Sequence, residues 1–113
     1  MLNELQHTAI INTSTSGANT LITAPTTTEG KGAYIAIDHI NVLPTTAVTM
    51  TFKSGTDAIT GPYPLDGKQT ISLDNATKAQ NGVMTCASNE DFVMHLGGAV
   101  QVGGFVNYRI CNF

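Results

Sequence analysis

The stretch VTMTFKSGTDAITGPYPL, Val48 to Leu65, decides the fold class. Val48, Met50 and Phe52 alternate with Thr49, Thr51 and Lys53, which is the period of a half-buried β-strand. Ser54-Gly55-Thr56-Asp57 interrupts the alternation with turn residues, and Ala58-Ile59-Thr60 resumes it before Gly61-Pro62. A second block, LGGAVQVGGFVNYRI (Leu96–Ile110), follows the same logic with glycine pairs as punctuation. Neither block carries residues arranged for reaction chemistry.

The rest of the chain extends this pattern. No stretch places apolar residues at i, i+3, i+4 and i+7 over three turns, so helices are not expected. Asp74–Gly82 is polar all round and reads as a surface loop or a single turn. Strands are expected at Thr8–Asn12, Thr20–Ala24, Ala33–Leu43, Ala47–Lys53, Ala58–Thr60 and Tyr63–Leu65. Further strands are expected at Lys68–Leu73, Val83–Ala87, Phe92–Leu96, Val100–Val102 and Val106–Ile110. Asp66-Gly67 is the strongest short hairpin signal, and Gly97-Gly98 reads as the turn of a second hairpin. Ala33–Leu43 is apolar on both faces, as expected of a strand covered by core on one side and by a neighbour on the other. Short strands with Gly, Pro and Asx punctuation predict an all-β chain: a single jelly-roll-like β-sandwich of antiparallel strands. The turn-rich residues 1–32 are read as an extended N-terminal arm that pairs with a neighbour, and residues 33–113 as the sandwich core.

Composition narrows the function classes. With 113 residues the chain is one domain, long enough for a core without staples. Charged residues make up 12%, about half the usual share, which matches proteins that work inside an assembly, because covering such a surface costs little desolvation. The net charge is −3, and Lys31, Lys53, Lys68, Lys78 and Arg109 are dispersed, which argues against nucleic-acid binding. No segment reaches the ~18 apolar residues of a membrane-spanning helix. Met1-Leu2-Asn3-Glu4 lacks a basic start followed by an apolar run, so synthesis and folding in a cytosol are expected. There the widely spaced Cys86 and Cys111 read as buried thiols.

No catalytic, metal or cofactor site is expected. His7, His39 and His95 lack ligand spacing. Asp38 and His39 are neighbours in a strand and are expected on opposite faces, which excludes a triad-like pair. Asp57, Asp66, Asp74, Glu90 and Asp91 fall in turns, where carboxylates cap backbone N–H groups. Gly97-Gly98 and Gly103-Gly104 are followed by strands rather than by a phosphate-binding helix. Tyr63, held between Pro62 and Pro64, is a candidate contact anchor, with core packing as the alternative.

Three segments together resemble a group of short structural proteins of tailed bacteriophages. They are SGANTLITAP (Ser16–Pro25), AVTMTFKSGTDAITGPYPL (Ala47–Leu65) and LGGAVQVGGFVNYRI (Leu96–Ile110). The resemblance covers most of the chain, and TTTEGKG (Thr26–Gly32) and the Asp74–Gly82 loop depart from it. It implies a virion component made in the host cytoplasm. The implied role is a capsid decoration (cement) protein, a homotrimer on the outer capsid surface that binds the major capsid protein and bridges capsomers. The competing expectation is a tail or fibre module that contacts host glycans or proteins, for which Tyr63 with Asp66 is the only hint. The interface residues expected are Tyr63, Phe105 and Phe113, with Ile10 and Ile11 on the arm.

Overall fold

The computed structural model describes residues 6–25, 32–75 and 82–112, and no helix occurs among them. Ten strands follow in order: β1 (Gln6–Thr13), β2 (Gly17–Ile22), β3 (Ala33–Pro44), β4 (Val48–Ser54) and β5 (Asp57–Ala58). Then come β6 (Tyr63–Leu65), β7 (Ile71–Asp74), β8 (Met84–Thr85), β9 (Phe92–Leu96) and β10 (Val102–Asn112). They form two five-stranded antiparallel sheets packed face to face, a β-sandwich.

The first sheet has the order β1-β10-β3-β7, with β8 also on β3; the second has β2-β9-β4-β5, with β6 also on β4. Taking β5 with β6 and β7 with β8 as two interrupted strands, the chain crosses between sheets in the jelly-roll order. The alternation read in Val48–Phe52 holds: Val48, Met50 and Phe52 face the core against Leu96 and Met94 of β9. Phe52 stacks on Phe92 with ring centroids 5.7 Å apart.

Two expected hairpins are instead crossings from one sheet to the other. Tyr63–Leu65 pairs with β4 in the second sheet, whereas Ile71–Asp74 pairs with β3 in the first. Asp66-Gly67 therefore does not join two paired strands. Lys68, not Gly67, takes the positive φ of 62°. Gly67 serves close approach: a Cβ there would lie 3.0 Å from the Thr45 carbonyl oxygen. The Lys68 amide donates to the Pro44 carbonyl at 2.7 Å and ties the crossing to the end of β3. Gly97-Gly98 likewise leads from β9 in the second sheet to β10 in the first. Residues 99–101 are part of that crossing, and the strand expected at Val100–Val102 begins only at Val102.

The double-faced apolar character of Ala33–Leu43 has a local cause. The β3–β10 register shifts so that Ile37 faces Tyr108 while His39 faces Asn107, leaving Asp38 as an extra residue. Such a bulge reverses the parity of the strand. Ile35 and Ile37 before it, and Ile40 and Val42 after it, consequently all enter one core, each 0% exposed. Among the described residues, Tyr34, Ala36 and Cys111 form a small second cluster, on the outer side of the first sheet. Cys86 belongs to the main core, so the two buried free cysteines lie on opposite faces of this sheet.

Residues 6–22, expected to leave the sandwich as an arm, supply one strand to each sheet of their own chain. β1 pairs with β10 over all eight residues, and β2 pairs with β9. Ile11 and Ile22 are core residues. Thr13 Oγ1 donates to Asn19 Oδ1 at 2.5 Å and closes this side of the sandwich.

Candidate interaction face

The side chains on the outer side of the first sheet follow directly from strand register, because paired residues share a face. One row across β1, β10 and β3 is Gln6, Arg109 and Ala36; the next is Thr8, Asn107 and His39, followed by Asp74 of β7. The third row is Ile10, Phe105 and Asn41, followed by Ser72. The last is Asn12, Gly103 and Leu43.

Apolar groups concentrate in the last two rows. Ile10 is 84% exposed and Leu43 is 39% exposed. Phe105 is half-buried, and its ring centroid lies 5.2 Å from that of His39. The row above is polar and internally bonded: Thr8 Oγ1 donates to Asn107 Oδ1 at 2.7 Å. An apolar patch with a polar border is the composition of a protein contact surface.

Arg109 and Asp38 neutralise each other on this face, while Asp74 stays largely exposed, 3.9 Å from His39. Arg109 donates to the two Asp38 oxygens, from Nε at 2.7 Å and from Nη2 at 2.9 Å. Gln6 and Asn75 each add a side-chain hydrogen bond to the same carboxylate at 3.1 Å. Burial pushes the Asp38 pKa up, but the hydrogen bonds from Arg109, Asn75 and Gln6 and the Arg109 charge outweigh it. The result lies below the ordinary carboxylate value. These groups line a cleft of about 400 Å³ together with His39 and Asp74. Asp38 and His39 therefore lie on one cleft rather than on opposite faces, because the bulge breaks the alternation.

The outer side of the second sheet differs. Thr51, Lys53 and Thr20 surround His95 and Val93 there, and none of its residues is a large exposed hydrophobic. His39 and His95 lie on opposite outer faces of the sandwich. His7 stacks on Tyr108 at 5.3 Å. Among the described residues no three His, Cys, Asp or Glu side chains are grouped to hold a metal ion.

Of the residues read from sequence as interface candidates, the structure brings two together: Ile10 and Phe105 are direct cross-strand partners. Ile11, one residue along, is 2% exposed and belongs to the core, a correction that follows from strand alternation. Tyr63 is half-buried with its ring edge against Phe52 at 6.3 Å, so it packs on the second sheet. Asp66 lines a separate cleft with Pro64, Leu65 and Gly97, and Tyr63 is not among its lining residues. Phe113 lies outside the described residues. Leu43 was not legible as a surface residue: the parity change at Asp38 is needed to place it on the Phe105 side.

The turn carboxylates are structural where their partners are seen. Asp91 Oδ1 accepts the Ala24 amide at 2.6 Å, and Glu90 Oε1 accepts the buried Ser54 hydroxyl at 2.6 Å. No family model matches the chain, and no curated protein and no solved structure matches it.

Proposed function

We propose that this protein is a capsid decoration protein of a tailed bacteriophage, docking on the major capsid protein through the outer side of its first sheet. The observation that carries this reading is the neutral, apolar patch of Ile10, Phe105 and Leu43 on a jelly-roll sandwich. The resemblance of the Ser16–Pro25, Ala47–Leu65 and Leu96–Ile110 segments to phage structural proteins supports it as well. A fold alone does not assign a function. What favours decoration is that the face asks only to be covered. Phe105 lies beside Ile10 in one row, and Arg109 and Asp38 nearby are already paired, so covering the apolar rows leaves neither of those two ions newly unpaired.

Each contact of this kind is weak, and several copies bridging adjacent capsomers gain by simultaneous engagement. Bridging raises the cost of separating capsomers under the outward pressure of packaged DNA. The test is to add purified protein to mature heads stripped of it and to heat them. Rebinding with a raised temperature of DNA release is the expected result. Heads that neither bind the protein nor gain heat resistance, with binding to host cells instead, would overturn the reading.

A further inference from the structure

We propose that two copies of this chain pair antiparallel through β1, edge to edge, with Ile10 on the twofold axis. The argument starts from the sheet edges, since an unprotected edge strand is a template for another strand. Three of the four edges carry devices that block pairing. The β5/β6 edge consists of a two-residue and a three-residue strand, the latter containing Pro64. The β7/β8 edge is broken into strands of four and two residues, with Asp74 on it. The β2 edge has a register irregularity between Thr20 and Ile22.

β1 has none of these. It runs eight residues, QHTAIINT, without a proline, a formal charge or a register shift against β10. Its outward row side chains Gln6, Thr8, Ile10 and Asn12 are all exposed.

The occupant follows from the strand's own composition. A strand that meets its copy about a twofold axis on Ile10 sets Ile10 against its counterpart and Thr8 against Asn12, and on the core side Ala9 against Ile11. No charges meet, and the most exposed large hydrophobic in the described chain gains an apolar neighbour in its own row. Phe105 already lies beside Ile10 in the same row. The pairing therefore makes one continuous row, Phe105–Ile10 followed by Ile10–Phe105, across a joined sheet. A ring of three closed by strand pairing would instead need β1 to pair with one of the three blocked edges. The twofold arrangement thus departs from the homotrimer implied by the phage-protein resemblance. It does not depend on the capsid reading, and it leaves the joined outer face open to a further partner.

The experiment is sedimentation equilibrium of the whole chain at concentrations up to about 100 µM, because self-association is concentration-dependent. Wild type is expected to show twice the monomer mass. Ile10→Lys and Ile10→Glu, each placing like charges opposite one another, are expected to fall to the monomer mass. An equimolar mixture of the two is expected to recover the dimer, because the axis sets Lys against Glu. Circular dichroism matching wild type shows that both variants fold. A monomeric or trimeric wild type, charged variants that remain dimeric, or a mixture that stays monomeric would each overturn the proposal.

Discussion

Arg109 grips Asp38 with two parallel hydrogen bonds, 2.7 Å and 2.9 Å long, at the point where β3 bulges against β10. The bulge and the ion pair are one device. The extra residue lets Ile35, Ile37, Ile40 and Val42 share a core, and Arg109 satisfies the carboxylate that the bulge leaves on the sheet surface. The two side chains are 15% and 13% exposed, so the pair is partly desolvated.

Arg109→Met should therefore destabilise the fold by about 2 kcal/mol, because it strands a half-buried carboxylate. The sign of the pH dependence follows from the depressed Asp38 pKa. The stabilisation is present in full above the ordinary value of 3.8 and is lost as pH falls below it, through the folded-state value. Urea denaturation of wild type and Asp38→Asn from neutral pH to about pH 3 checks this: the stability gap should narrow on acidification.

Neighbouring isoleucines should behave as opposites. Ile11→Ala removes a core side chain and should cost about 2–5 kcal/mol. Ile10→Ser changes an exposed one and should leave monomer stability within about 0.5 kcal/mol. Thermal melts of the two variants at low protein concentration measure the contrast.

Gly104 should tolerate no side chain. Its φ is 151°, and a Cβ there would lie within 1.8 Å of the Asn41 carbonyl oxygen, which is backbone and cannot move aside. Gly104→Ala should cost about 3 kcal/mol or more, through strain and a forced separation of β10 from β3. Its yield of folded protein and its denaturation midpoint report the effect.

Both cysteines should resist alkylation while the protein is folded. Burial pushes the Cys86 thiol up to about 11, with Glu90 and Asp91 adding to the rise against a lowering hydrogen bond with Ser54. Cys111 is fully buried. Iodoacetamide at pH 8 should label neither thiol in the native protein and both in denaturant, read by mass spectrometry.

Strand positions were legible because Val48–Phe52, Phe92–Leu96 and Tyr63–Leu65 each signal themselves through local alternation. Strand partners were less so. Asp66-Gly67 has hairpin chemistry, yet it leads across the sandwich, since Leu65 pairs in the second sheet and Ile71 in the first, each facing the shared core. The Asp38 bulge is also silent locally. It is a property of the β3–β10 pair, and it appears in the sequence only as apolar residues at odd positions before Asp38 and even positions after it. The interaction face was half legible: Phe105 was expected as an interface residue, and Ile10 only together with Ile11 as part of an arm. Separating Ile10 from Ile11 required knowing which side of β1 faces the second sheet.

Docking through the outer side of the first sheet, as proposed, makes capsid binding depend on Phe105 and not on Lys53. Cosedimentation with stripped mature heads tests it most directly, comparing wild type with Phe105→Ser on the first sheet and Lys53→Glu on the second. Phe105→Ser should bind at least about tenfold more weakly, while Lys53→Glu binds like wild type. Undiminished binding by Phe105→Ser, with binding lost in Lys53→Glu, would contradict the account.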